Sequence, residues 1–152
     1  MGLSCNNCKN KNCFVLNYFS PEDIDLISEN KSIKHFRKNE PVYSEGEIPD
    51  KVYFIYDGCL KIIKKDTAGD AWDLFYAEPG DLVGYRSVIC SENHSTSAYV
   101  YADSLICEVD KEYFLNSFNN NKAFVEKFMK FLSEEILMRE RRIEDLENYK
   151  SN

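Results

Sequence analysis

Histidine is nearly missing from this sequence: there are two, His35 and His94, far apart and outside any H-x-H arrangement. That excludes the clustered imidazoles on which a β-barrel metalloenzyme depends. No Ser-His-Asp order, phosphate-binding Walker loop or paired-carboxylate constellation stands out either, so enzymatic chemistry is not expected. Long apolar runs are also lacking, and none approaches the roughly 20 residues that span a bilayer. The start, Met1-Gly2-Leu3-Ser4-Cys5, has neither the basic nor the apolar region of a secretory signal. The expected location is the cytoplasm, with no membrane partner. Cations are in short supply: 19 Lys and Arg face 26 Asp and Glu, for a formal net charge of −7. Such a surface repels a phosphate backbone, so these residues alone are not expected to grip DNA.

What is present is aromatic and thiol-rich. Ten Phe and ten Tyr in 152 residues can build one substantial core, which argues against disorder. Six cysteines would suit a disulfide framework in a small secreted protein. In a reducing cytosol the same thiols are more often buried apolar residues, metal ligands or redox groups.

The chain reads as three parts. Residues 1–19 are Cys- and Asn-rich and irregular, ending in the apolar stretch from Phe14 to Phe19. Residues 20–118 form the body. Ser20 as N-cap, Pro21 at the first helical position and Glu22 and Asp23 at the positive dipole end predict a short helix over 20–30. Short strands follow: Lys51–Tyr56, a turn at Asp57-Gly58, Cys59–Lys64, a turn at 67–70, Trp72–Tyr76, a turn at Pro79-Gly80-Asp81, then Ser97–Ala102 and Leu105–Val109. Turns at such short spacing predict an all-β sandwich or barrel. Residues 111–118 read as a short helix.

Residues 119–152 carry a long helix over 120–149. Val125, Met129, Leu132, Ile136, Arg139, Ile143 and Leu146 recur at steps of four and three, a seam with one charged interruption. Phe124, Phe128, Phe131 and Met138 widen the apolar face in its first half, which suits packing on its own domain. The narrow second half, bordered by Glu134, Glu135, Glu140, Arg141, Arg142, Glu144 and Asp145, suits a parallel homodimer.

Three stretches carry a family resemblance. Val42-Tyr43-Ser44-Glu45-Gly46-Glu47 resembles the turn that opens a cyclic-nucleotide-binding roll. Val52 to Lys61 resembles that family's "lyfI-x-x-G-x-l-K" hairpin, and Pro79-Gly80-Asp81-Leu82-Val83-Gly84 its turn into the ligand cassette. Their order and spacing resemble the sensor half of Crp/Fnr-type transcriptional regulators. The resemblance implies a mainly β fold with α: a jelly-roll double-stranded β-helix with a short N-terminal helix and a long C-terminal dimerisation helix. Regulators of this type continue into a helix-turn-helix domain, so promoter DNA is an expected partner only through a domain that this sequence does not contain.

The resemblance also aligns two candidate sites. In relatives that bind cyclic AMP, a cassette Glu meets the ribose and an Arg meets the cyclic phosphate. The matching stretches here are Gly84-Tyr85-Arg86 and Ser95-Thr96-Ser97-Ala98, with Tyr85 in place of the Glu and Thr96 in place of the Arg. Charged pairs worth on the order of 1.5–3 kcal/mol each are lost, so tight cyclic AMP binding is not expected. Arg86 is left either to meet another small anion with Ser95, Thr96 and Ser97 or to pair with a local carboxylate.

Cys5, Cys8 and Cys13 form C-x2-C-x4-C, and thiolates on a C-x2-C loop are soft metal ligands. Cys107, in Ser104-Leu105-Ile106-Cys107-Glu108-Val109, resembles the distant fourth cluster cysteine of oxygen-sensing Fnr proteins. The resemblance therefore implies a [4Fe-4S] cluster on Cys5, Cys8, Cys13 and Cys107. The triplet is one residue shorter than the family's C-x2-C-x5-C, a difference of up to about 3.5 Å of chain. Zinc on the same four residues remains open, as does no metal, with Cys107 a buried strand residue. Without metal, the alternative is a stand-alone dimeric interaction or small-ligand module. Cys59 and Cys90 read as ordinary strand and loop thiols.

Overall fold

The computed structural model describes residues 4–119 and 121–152. Two compact units divide the chain, one ending at Ser117 and the other beginning at Phe118.

The first unit is a six-stranded antiparallel sheet wrapped on itself: β1 (Ser32–Phe36), β2 (Pro41–Tyr43), β3 (Lys51–Lys65), β4 (Ala71–Ala77), β5 (Leu82–Val83) and β6 (Ser97–Asp110). The order is β1-β6-β3-β4, with β2 also on β6 and β5 on β3. Side chains that alternate inward along these strands, Phe36, Ile55, Leu60, Ile62, Val100 and Ile106, form the roll's core. Each large apolar side chain buried there contributes roughly 1.5–3 kcal/mol.

The helix predicted over 20–30 is α2 (Pro21–Asn30), and Ser20 caps it by accepting from the Asp23 N–H. The short helix predicted over 111–118 is α4 (Lys111–Asn116). Three expectations need correction. Asp57-Gly58 does not reverse the chain: β3 runs through it as one strand, with register shifts at Asp57 and Cys59. Gly58 has φ +100°, and a Cβ there would lie 2.7 Å from the Asp103 carbonyl oxygen, so the glycine serves a bulge rather than a hairpin. Ser97–Ala102 and Leu105–Val109 are likewise one strand, β6, bent opposite that bulge.

Residues 1–19 are not irregular where described. Ser4 caps a 3-10 turn at Cys5–Asn7, and α1 (Phe14–Tyr18) follows. Its anchor is aromatic. Phe14 stacks on Tyr18 with centroids 4.1 Å apart and lies against Phe19 and Phe54. The Phe14 N–H donates to the Gly80 carbonyl at 2.9 Å. A helix not expected from sequence, α3 (Tyr85–Cys90), begins at Gly84 in the left-handed region.

The second unit contains α5 (Lys122–Ser151), thirty residues capped by Asn121, whose side chain accepts from the Phe124 N–H. At its start Phe118, Phe124, Phe128 and Phe131 form a continuous set of ring contacts. Beyond that, Ile136, Ile143 and Leu146 are 57%, 60% and 55% exposed.

Candidate functional site

The fold brings the four aligned cysteines to one place. Cys5, Cys8, Cys13 and Cys107 line a single small cleft together with Asn10, Val15, Leu16, Ile27, Lys31 and Phe54. Relative exposures of 6%, 6%, 9% and 8% show that all four are buried, and all four are free of disulfides. Local structure explains the convergence. The 3-10 turn folds Cys8 back so that its N–H reaches the Cys5 carbonyl at 3.0 Å. Cys5 is held to α2 by its N–H, which donates to Ser28 Oγ at 2.9 Å. Cys13 stands as the N-cap of α1, and Cys107 is fixed on β6, paired with Phe54 on β3 and Ile33 on β1. The loop between Cys8 and Cys13, one residue shorter than the family spacing, still leaves Cys13 lining the same cleft as the other three thiols.

Burial dominates the electrostatics. Desolvation pushes the Cys107 thiol up to about 12, opposed by the Lys31 ammonium and reinforced by Cys13, Cys5 and Cys8. Cys13 is raised too, again mainly by burial, while backbone N–H groups of Val15 and Leu16 pull the other way. Lys31 Nζ lies 3.3 Å from Cys5 Sγ and donates to it. Among the described residues, no group of three or more His, Cys, Asp or Glu side chains is drawn together at the spacing of a single bound ion; the thiols share a cleft rather than a point. The donor set nonetheless fits a thiolate-bound group: four soft sulfurs, a cation beside them, and a buried amide donor, Asn10 Nδ2, with no partner. Sequence reasoning missed Lys31 and Asn10 because neither stands in a ligand motif.

The second aligned region is the roll's cassette, and its polar groups are engaged with one another. Gly84 opens α3, Tyr85 is buried and Arg86 is exposed, donating to the Ser95 hydroxyl. Where the sequence left a carboxylate open as its partner, the structure supplies a hydroxyl. Burial raises the Tyr43 phenol's pKa, and the Thr96 side chain beside it pulls the other way. Ser97 Oγ accepts from the Glu45 N–H at 2.8 Å. Lys64 Nζ bridges Glu45 at 2.7 Å and the Ser95 carbonyl at 2.8 Å. His94 stacks on Tyr43 at 4.1 Å, and Tyr43 on Tyr53 at 5.7 Å. Burial lowers the His94 pKa, keeping the ring neutral. Neither a carboxylate nor a guanidinium stands at Tyr85 or Thr96, the positions that the sequence resemblance aligns with the cassette's Glu and Arg.

Comparison with known proteins adds the family. The cyclic nucleotide-binding domain model matches residues 33–121. This chain belongs to the cyclic nucleotide-binding domain family. An uncharacterized protein of Haemophilus influenzae is 28% identical over 127 residues, covering 82% of this chain and 96% of its own length. The fumarate and nitrate reduction regulatory protein of Vibrio cholerae is 26% identical over 137 residues, covering 88% of this chain and 54% of its own length. The chain therefore spans about half the length of that regulator. Among solved structures, the sensor domain of the transcriptional regulator DNR from Pseudomonas aeruginosa superposes with a TM-score of 0.73 at 16% identity, covering 85% of this chain and 87% of that one. The jelly-roll and the long C-terminal helix expected from sequence are both present, and the likeness to Crp/Fnr-type regulators holds. Among the described residues no helix is long and apolar enough to cross a membrane.

Proposed function

We propose that this chain is the sensor half of a Crp/Fnr-type transcriptional regulator that holds an oxygen-labile [4Fe-4S] cluster on Cys5, Cys8, Cys13 and Cys107. The observation that carries the reading is the convergence of those four buried thiols on one cleft, three from the N-terminal segment and one from β6. When bound, such a cluster supplies oxygen-sensitive redox chemistry there. The chain's own part is mechanical. Cys5, Cys8 and Cys13, once ligated, tie the N-terminal segment to Cys107 on the roll. Loss of the group in air would release that tie, and a tied and an untied arrangement would form the bistable element a switch needs. The output is pairing of α5 with a second copy along Val125, Met129, Leu132, Ile136, Arg139, Ile143 and Leu146, passed to a helix-turn-helix domain outside this sequence and so to promoter DNA. The cytoplasm is the compartment that suits this chemistry. Tyr85 and Thr96, standing where the resemblance aligns the cassette's Glu and Arg, support the absence of tight cyclic AMP binding.

Anaerobic purification tests the reading. A brown protein carrying iron and sulfide, which bleaches in air and loses its colour in Cys107→Ser, is expected; colourless, iron-free anaerobic protein would end it. Isothermal titration with cyclic AMP should give no micromolar binding. Zinc is the second reading, favoured by the same four thiols, and metal analysis of the purified protein separates the two.

A further inference from the structure

Two groups in the thiol cleft are left over once the four cysteines are given the role proposed above. Asn10 lines the cleft, and its orientation is fixed: Oδ1 accepts from the Asn12 N–H at 3.1 Å, which commits Nδ2 as the other face of the amide. Among the described residues, Asn10 Nδ2 is the one buried side-chain nitrogen or oxygen atom with no hydrogen-bond partner. Native structures rarely leave a buried donor orphaned without a reason. Lys31 is the second group. It caps the end of α2, where its N–H donates to the Ile27 carbonyl, and this brings Nζ to 3.3 Å from Cys5 Sγ. Half-buried among apolar side chains, its charge also opposes the upward shift of Cys107.

Resting on the cluster reading, we infer that Asn10 and Lys31 are positioning residues that donate N–H groups to the sulfurs of the group bound by Cys5, Cys8, Cys13 and Cys107, and so set its reduction potential and its lifetime in air. The chemistry is general. A thiolate-rich iron-sulfur group is anionic and its sulfurs accept hydrogen bonds, and each such bond stabilises the more reduced state and raises the potential. A lone apolar cleft lacks that stabilisation. Here one donor is already on the Cys5 sulfur, and the other, buried beside Gly80 on a residue that lines the same cleft, has its capacity unused. Neither residue is a ligand, and neither is needed to bring the thiols together: Ser28, the 3-10 turn and the β6 register do that.

The test uses the full chain, reconstituted anaerobically with iron(II) and sulfide, as wild type, Asn10→Leu, Lys31→Met and Lys31→Arg. The inference expects cluster-free melting points within a few degrees of wild type, which excludes a merely structural role. In the loaded proteins, Asn10→Leu and Lys31→Met should lose their iron-sulfur absorbance in air about three- to tenfold faster and show more negative midpoint potentials, while Lys31→Arg should behave as wild type. Should Asn10→Leu melt early through loss of the Asn12 bond, Asn10→Asp keeps that acceptor, lacks the donor, and should shift the potential in the same direction. A wild type that loads normally, with variants matching it in potential and lifetime, overturns this inference and leaves the cluster reading standing. A wild type that takes up neither iron nor sulfide overturns both.

Discussion

At the scale of single residues, the protonation of buried thiols decides how the cleft behaves. Ligation requires thiolates, so each cysteine that binds must release a proton. Burial holds Cys107 near 12 and Cys13 above the ordinary thiol value, so the release is fully outstanding at neutral pH. Iron uptake should therefore strengthen by about tenfold per pH unit for each proton released; reconstitution titrations at pH 6.5, 7.5 and 8.5 check this, and pH-independent uptake would contradict it. The cluster-free fold has the opposite dependence. A thiol whose folded value is raised stabilises fully below its unfolded value, about 8.5, and that contribution fades as pH climbs toward about 12. Gly58 offers a purely structural prediction. Its φ is +100°, and a methyl carbon added there would stand 2.7 Å from the Asp103 oxygen. Gly58→Ala should therefore cost about 2–3 kcal/mol, read as a lower urea midpoint. The sequence marked Gly58 as a turn because Asp-Gly after an aromatic strand is a hairpin signal. What it could not convey is that Ser104 lies opposite, receiving the Cys59 N–H at 3.1 Å, so that the positive φ serves a bulge between two long strands.

At the scale of elements, local chemistry was readable and long-range pairing was not. Ser20-Pro21 with Glu22 and Asp23 announced α2 because cap, proline and dipole all act within one turn. The union of 97–102 with 105–109 into β6 was hidden, because Asp103 and Ser104 look like breakers until their tertiary partners are known: Asp103 Oδ1 accepts from the Lys38 N–H at 2.9 Å, and the Ser104 hydroxyl donates to the Ala102 carbonyl at 2.6 Å. The convergence of Cys5, Cys8 and Cys13 was legible only as a ligand spacing; the turns that bring them to Cys107 were not. α5 makes its own prediction. Its second half leaves Ile136, Ile143 and Leu146 more than half exposed, while Arg139 reaches Glu135 at 4.0 Å along the same helix. An ion pair that exposed contributes at most about 1 kcal/mol, so the proposed pairing rests on the apolar positions. Replacing Ile136 and Ile143 together by Lys should convert a dimer to a monomer in sedimentation or light scattering, with the melting point of the roll nearly unchanged. A variant that remains dimeric would sink the assignment of the seam.

At the scale of the whole molecule, sensing and pairing are two equilibria that must be linked if both belong to one switch. Thermodynamic reciprocity then requires that whatever the loaded cleft does to dimer affinity, dimerisation does to loading by the same factor. Coupling of this kind typically reaches about 5- to 150-fold. Sedimentation of the anaerobically loaded protein and of the same sample after exposure to air should differ in dissociation constant by a factor on the order of that range; identical constants would separate the cleft from α5. The cassette, by contrast, should be silent: cyclic AMP should move neither the melting temperature nor the association.

The Pro79-Gly80 corner ties two districts of the roll to a common bolt. On one side the Gly80 carbonyl holds the Phe14 amide, and the absent side chain at Gly80 leaves room for the Asn12 backbone, which a methyl group there would meet at 2.9 Å. On the other, the Gly80 N–H grips the Ile55 carbonyl at 2.8 Å, and four residues later Gly84 starts the α3 arm. Lifting residues 4–19 therefore unfastens one strut of a corner whose remaining strut steadies the approach to α3. Amide exchange at Phe14 becomes a gauge of whether that leading ribbon is latched, readable without touching a single sulfur.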